Sequence, residues 1–337
     1  MKAITLKAPG GLENISVSDI TDPGVPGPGQ IRVAIGASSL NFHDLLVANG
    51  SIPSEDGRIL MSDGGGNVDA VGEGVTDFLV GDSVVSCFFP QWPSGSAMAS
   101  VGTFAHTPGD GIDGMAAKFV VRNQNAFTLA PKGWSHAESA TITTAGLTAW
   151  RALVTDGKVK PGDTILTLGT GGVSIAVIQI ANMLGARVIV TSSSDEKLER
   201  AKKLGASEGV NYRTHTQWSD KVLELTKGKG VDHIIELGGP GTLEQSIRAV
   251  RVGGHISLIG VLTGRSGEVP TALLMAKQAC LQGLVVGSRR DQQDYVAALE
   301  ANQIQPIVDK TYSMEKLATA FEYQASGSHF GKICVEW

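Results

Sequence analysis

Cysteine is scarce in this chain: three residues in 337, Cys87, Cys280 and Cys334, far apart and without a CxxC pair. That excludes a disulfide framework and fits buried thiols in a reducing, cytoplasmic compartment. Basic charge is also short. With 28 Lys and Arg against 33 Asp and Glu, the formal net charge is −5, so no footprint for nucleic acid or anionic lipid exists. The longest apolar runs are interrupted by Gly, Asn and Gln well before the length of a membrane span. The opening MKAITLKAPGG lacks the apolar stretch of a secretory signal. A soluble, intracellular protein with a small-molecule partner is the expectation, with no nucleic acid and no membrane.

Glycine, by contrast, is abundant at 43 residues, which points to many tight turns and to nucleotide-binding loops. The first part of the chain reads as short strands punctuated by Gly and Pro, as in IRVAIGA after DPGVPGPGQ. From residue 163 the pattern changes. TILTLG, RVIVTS, EGVNY, DHIIELG, HISLIG and LQGLVVGS alternate with the helical stretches SIAVIQIANMLGA, DEKLERAKKLGA, SDKVLELTKGKG and TLEQSIRAVRVGG. Six apolar strands alternating with helices predict an α/β fold with a doubly wound parallel sheet. The tail holds two helices, a strand PIVDKTY and a closing GKICVEW, too little to fold alone. The expected organisation is a β-rich domain over 1–127, a doubly wound α/β domain over 128–288 and a segment 289–337 that returns to the first.

The sequence LTLGTGGVS follows a strand and opens a helix, with Gly169, Thr170, Gly171, Gly172 and Val173 at the turn. Glycines there let a pyrophosphate approach backbone N–H groups at the positive end of the helix. Ser174 replaces the third glycine of the usual fingerprint, so the setting carries the reading more than the string. At the end of the second strand an NAD site wants an acid for the ribose hydroxyls. This chain has Ser192, Ser193 and Ser194, then Lys197 one helical turn on, which suits the 2′-phosphate of NADP(H). Asp195 and Glu196 are explained by the dipole of a helix first turn, and Ser194 is also a natural helix cap.

The strings AVGEGVTDFLVGDSVV, AGLTAWRAL, GDTILTLGTGGVS, TSSSDEKLERAKKLGA and GKICV together resemble the medium-chain dehydrogenase/reductase superfamily along essentially the whole chain. The resemblance implies a GroES-like β-rich catalytic domain joined to a Rossmann domain, with the active site in the cleft between them. Zinc-dependent members hold the metal with a Cys where Asn41 stands in SSLNFHDLLVANG. A His follows in a triplet that falls on Met61, Ser62 and Asp63, and a third ligand falls near Thr143 and Thr144. No thiolate or imidazole stands at these positions. Asp63 and His43 do not make a three-ligand site, and three scattered cysteines cannot build the family's structural zinc lobe. No metal is the expectation.

Among zinc-free members the chain looks most like the quinone oxidoreductase branch. There a small residue, a Lys and a Tyr hold the 2′-phosphate, and these map onto Ser193, Lys197 and Tyr212. Asn41 is expected near the nicotinamide ribose as an orienting residue. His43 is a candidate proton donor or else a solvated loop histidine, and Asp44 is expected to be a structural hydrogen-bonder. Thr148, Gly238, Ile259, Gly260, Val261, Ser288 and Arg289 complete the expected cofactor contacts. Without a metal, quinones and activated enones or carbonyls are the acceptors that need least help, because their own conjugation spreads the charge. The alternatives are an NAD(P)-dependent alcohol dehydrogenase or carbonyl reductase, and a non-catalytic NADPH-binding structural protein. The loop FFPQWPSGSAMASVGTFAHTPGDGIDGM reads either as a mobile wall of an acceptor pocket or as a surface loop pinned by buried aromatics. The last sheet strand, expected over 283–288, leaves an apolar edge that a homodimer would cover.

Overall fold

A computed structural model describes residues 1–337. The chain forms two compact units, one of Met1–Leu147 with Val286–Trp337, the other of Thr148–Val285. In the first, β1 (Lys2–Leu6) pairs antiparallel with β2 (Ile15–Asp19) and, at its other side, with the two-residue β4 (Arg58–Ile59). The long β3 (Gln30–Ser39) leads into helix α1 (Phe42–Ala48). It pairs with β5 (Gly65–Val71) and β7 (Phe119–Asn123), and β6 (Ser83–Ser86) and β8 (Phe127–Leu129) continue the sheet from β5.

Strand β3 shows why this sheet forms. Its residues alternate, with Ile31, Val33, Ile35 and Ala37 buried between less buried neighbours, the period-two signature of a strand with one face on a core. At its end the alternation stops, and Ser38 and Ser39 are both fully buried. Two consecutive buried hydroxyls need internal partners, and those partners define the site below.

Helix α2 (His136–Ala140) also belongs to the first unit, so this unit runs on to Leu147 where the sequence placed a division after 127. The His136 ring, 2.6 Å from Asn67 Oδ1, ties α2 to β5. Gly65 is small because a Cβ there would meet the carbonyl oxygen of His136 at 2.3 Å.

After α3 (Leu147–Trp150) the second unit alternates strand and helix. Its elements are β9 (Thr164–Leu168), α4 (Gly172–Met183), β10 (Arg187–Ser192), α5 (Asp195–Lys203), β11 (Glu208–Asn211) and α6 (Trp218–Leu225). They continue with β12 (Val231–Glu236), α7 (Pro240–Ala249), β13 (Val250–Leu258), α8 (Thr271–Lys277) and β14 (Cys280–Gly283). All six strands are parallel, in the order β11-β10-β9-β12-β13-β14, the Rossmann order with its switch point between β9 and β12. Every residue of β12 is buried, as a central parallel strand requires.

Three expectations need correction here. The helical reading of TLEQSIRAVRVGG overran, because α7 ends at Ala249 and the following Val–Arg–Val opens β13. The last strand is Cys280–Gly283, not 283–288. Val286 has φ +47, incompatible with a strand, although Leu284 and Val286 are as buried as strand residues. Apolar character alone therefore made this run look like a strand. Cys280 lies exposed on that edge strand, so the thiols are not all buried, whereas Cys87 and Cys334 are.

The tail adds α9 (Arg289–Ala301), β15 (Val308–Ser313), α10 (Leu317–Ala325) and β16 (Lys332–Glu336). Strand β16 pairs antiparallel with the end of β3, Cys334 opposite Ser39, and β15 pairs parallel with β16. Ile333, Val335 and Phe321 then join Ile4, Leu40 and Leu45 in one core. The pairing brings Lys332 beside the buried serines.

Candidate active site

In the second unit the expected cofactor residues gather at the carboxyl ends of the strands, where open α/β sheets bind ligands. Gly169 has φ +79, a conformation glycine adopts without strain, and its N–H is held by Thr191 O at 2.9 Å. Gly171 caps α4 with no side-chain bond, and the fully buried Ser174 hydroxyl donates to Leu168 O at 2.8 Å. Ser174 thus keeps the close strand–helix packing that a third glycine would allow, at the cost of one satisfied hydroxyl. Thr170 and Thr148 are buried.

Three of the helix starts along this edge, those of α5, α7 and α4, differ in charge. At α5, Ser194 accepts from Lys197 N at 3.3 Å, and Asp195 and Glu196 fill the first turn. At α7, the buried carboxylate of Glu236 accepts from the N–H groups of Gly238 at 2.8 Å and Gly239 at 3.0 Å, and from the hydroxyls of Thr242 and Ser246. Both ends already carry negative charge. The α4 end carries none, so its free N–H groups and dipole are the ones suited to a pyrophosphate.

Two of the 2′-phosphate candidates, Ser192 and Tyr212, lie side by side. Ser192 ends β10 opposite Asn211, and Tyr212 N donates to Ser192 O at 3.0 Å. Tyr212 is 42% exposed, so it is not a core packing residue. The Asp195 carboxylate is turned to Asn211 Nδ2 at 2.7 Å. Gly238 sits where a Cβ would meet Thr242 Oγ1 at 2.2 Å, and Gly260 where one would meet Leu237 O at 2.0 Å. Ile259 N and Gly260 N both bond Glu236 O, and Val261 is exposed beyond them.

The first unit holds the family's metal-ligand positions, and a closed polar network fills them. Asp63 is fully buried; Oδ2 accepts from Ser39 Oγ and Oδ1 from Thr144 Oγ1 at 2.6 Å, while Ser38 Oγ donates to its carbonyl oxygen at 2.6 Å. Lys332 Nζ lies 3.6 Å from Asp63 Oδ2 and donates to Leu40 O and to Asn41 Oδ1, each at 2.6 Å. Asn41 Nδ2 donates to Asp44 Oδ2 at 3.0 Å and to Ser39 O at 3.3 Å. Asp44 also accepts from Asn41 N at 3.0 Å and Ser62 N at 2.9 Å, so it is the structural hydrogen-bonder expected. Burial pushes the Asp63 carboxyl above the ordinary carboxylate range, opposed by Lys332. Thr143 bonds Ser86 O at 2.9 Å.

His43 is not a solvated loop histidine. It lies on α1, with Nε2 3.0 Å from Asp110 Oδ2 and its ring stacked on Phe104 at 5.1 Å. Phe88, Phe89 and Trp92 are buried beside it, so aromatics pin this part of the loop. Ser288 caps α9 through Asp291, and Arg289 bonds Phe127 O at 2.9 Å and Asp77 Oδ2 at 3.2 Å. Arg289 also borders a groove of about 690 Å³ with Asp77, Lys132, Trp134 and Glu300. These contacts occupy both residues within the first unit. Sequence reasoning missed Lys332 and Glu236. Nothing local marks Lys332, since its partners Leu40, Asn41 and Asp63 lie between β3 and α1 and just before β5; for Glu236, an acid directly after the apolar pair Ile234 and Ile235 was the available signal.

The donor set does not fit zinc. Amide, hydroxyl and one carboxylate replace thiolate and imidazole, and an ammonium stands among them; no three His, Cys, Asp or Glu converge on a metal site. No helix is long and apolar enough to cross a membrane.

Comparison with known proteins supplies the family. Residues 27–132 match the alcohol dehydrogenase GroES-like domain and residues 172–301 the zinc-binding dehydrogenase domain. A zinc-type alcohol dehydrogenase-like protein of Schizosaccharomyces pombe is 40% identical over 97% of this chain and 96% of its own. The crystal structure of an NAD-dependent alcohol dehydrogenase superposes with a TM-score of 0.90 at 35% identity, covering 100% of both chains. That of a Pseudomonas syringae quinone oxidoreductase gives 0.84 at 27% identity, over 100% of this chain and 99% of the other. A GroES-like unit, a Rossmann unit and a relative alike from end to end place this chain in the medium-chain dehydrogenase/reductase superfamily of oxidoreductases.

Proposed function

We propose that the protein is an NADPH-dependent oxidoreductase that reduces quinones or activated enones and carbonyls without a metal. The observation that carries this reading is the network at the family's ligand positions, where Lys332, Asn41 and Asp63 satisfy one another and leave no open coordination site. Bound NADPH would supply the hydride, and a hydride and a proton together convert a quinone to a hydroquinone, an enone to a saturated carbonyl and a carbonyl to an alcohol. The chain's own share is binding, orientation and exclusion of water. The N–H groups at Gly171 and Gly172 would face the pyrophosphate, and Ser192, Ser193, Lys197 and Tyr212 the 2′-phosphate. Asn41 would orient the nicotinamide ribose. His43 is the proposed proton source, with Asp110 fixing its Nε2 as a carboxylate fixes a catalytic imidazole. We also propose a cytoplasmic homodimer joined along β14, whose backbone pairs only with β13; a monomeric mass in dilute solution would count against it.

A second reading, an NAD(P)-dependent alcohol dehydrogenase or carbonyl reductase, is favoured by the names of the two more identical relatives. The experiment that separates them is NADPH and NADH oxidation against a panel of quinones, enones, aldehydes and ketones, with alcohols in reverse. Fastest turnover with quinones or enones supports the first reading, and alcohol oxidation as the faster direction supports the second. No turnover of any acceptor leaves a non-catalytic binding protein. The same panel on His43→Asn should show a lowered kcat with little change in cofactor KM.

A further inference from the structure

Lys332 has an ammonium buried against the first unit's core, and its partners decide how Asn41 can act. An ammonium only donates and a carboxylate only accepts, so the two groups flanking the Asn41 amide fix which way it faces. Oδ1 is turned to Lys332 Nζ at 2.6 Å and Nδ2 to Asp44 Oδ2 at 3.0 Å. The second Nδ2 proton goes to Ser39 O at 3.3 Å. Both donors of the amide are therefore spent. One lone pair of Oδ1 is its remaining hydrogen-bonding valence.

We propose that Lys332 is a positioning residue that locks the Asn41 amide so that it presents a single acceptor, suited to a hydroxyl of the nicotinamide ribose and not to an oxyanion. The proposal rests on the reading of Asn41 as an orienting residue. Lys332 itself is anchored by Leu40 O and by Asp63, and Asp63 by Ser39 and Thr144, so the lock is built from β3, β16 and the turn before α3. In this arrangement a lysine cation stands among the residues that replace metal ligands, and its work is to hold an amide rather than to polarise an acceptor.

The test compares three full-length variants with wild type: Asn41→Ala, the pair Lys332→Met/Asp63→Asn, and the triple. Removing both charges avoids leaving Asp63 buried without its cation, which a lone Lys332 substitution would do. Folding is checked by thermal melting, NADPH affinity by fluorescence titration, and kcat with the best acceptor of the panel. The pair variant should lose roughly tenfold or more in kcat with NADPH affinity within about twofold of wild type, and the triple should be no slower than Asn41→Ala. A folded pair variant with wild-type kcat overturns the proposal, as do losses that multiply in the triple. Wild-type kcat in Asn41→Ala sinks the reading of Asn41 itself and the proposal with it. A loss there alongside a fully active pair variant sinks the proposal alone. If the pair variant does not fold, Asn41→Asp carries the test: it keeps an oxygen for Lys332 but sets a carboxylate against Asp44. It should lose kcat as Asn41→Ala does, and wild-type kcat in it would overturn the lock.

Discussion

The ammonium of Lys332 lies 2.6 Å from the side-chain oxygen of Asn41, although 291 residues separate the two in sequence. The contact exists because β16 closes antiparallel on the end of β3, which delivers the last strand of the chain to the start of α1. It helps turn three closely spaced buried polar residues, Ser38, Ser39 and Asn41, from a burial penalty into a satisfied network.

Asp44 is the second anchor of that network and its carboxylate accepts from Asn41 N, the N-cap N–H of α1, at 3.0 Å. Asp44→Ala removes acceptors for Asn41 N, Asn41 Nδ2 and Ser62 N, leaving buried donors unpaired. The expected loss is about 1–3 kcal/mol of stability from the orphaned donors, seen as a lower midpoint in urea unfolding. Asp44→Asn should recover part of it, because an amide oxygen still accepts. An unchanged midpoint in Asp44→Ala would mean that solvent reaches these groups.

Cofactor choice is tested at Lys197. If Ser193, Lys197 and Tyr212 hold a 2′-phosphate, Lys197→Ala should cost NADPH about 1.5–3 kcal/mol, roughly a ten- to hundredfold loss in kcat/KM. NADH turnover should hardly change, since it has no phosphate to lose contact with. Equal losses, or a wild type that prefers NADH, would make the serine run a helix cap alone.

A pH effect follows from two histidines of the Rossmann sheet. His233 on β12 stands opposite His255 on β13, and burial holds both below the ordinary histidine value. Asp163 and Asp232 partly oppose this for His233, as Asp156 does for His255, while Arg251 adds to the lowering at His233. The unfolded chain binds protons at higher pH than the folded one, so stability is full above the unfolded value of 6.5 and falls as pH drops through and below it. Melting temperature should therefore decline between about pH 7 and 5. His255→Gln should flatten the decline, and a melting temperature that rises on acidification would contradict the assignment.

How much of this was legible in the sequence depends on the range of the interaction. The Rossmann unit declared itself because its signals are local: Gly169 at a positive φ, apolar strands buried on both faces, and helices with acids first and bases last, as in α5. The absent zinc ligands were equally plain. What replaced them was not, because Lys332 meets Asn41 only through sheet pairing between the two ends of the chain. His43 stayed between two readings for a similar reason, since its partner Asp110 lies 67 positions away. The error at 283–288 had another cause: Leu284 and Val286 are buried without being in a strand, and apolar character alone does not distinguish the two.

Reduction without a metal, by a site whose cation is a lysine, can be tested on the protein itself. The most direct measurement is NADPH-driven reduction of a quinone by protein dialysed against a strong chelator, with zinc content determined on the same sample. The dialysed protein should keep the kcat of undialysed protein, hold zinc well below one equivalent, and gain nothing when zinc is added back. Stoichiometric zinc in the isolated protein, with activity lost on its removal and restored by its return, would contradict it.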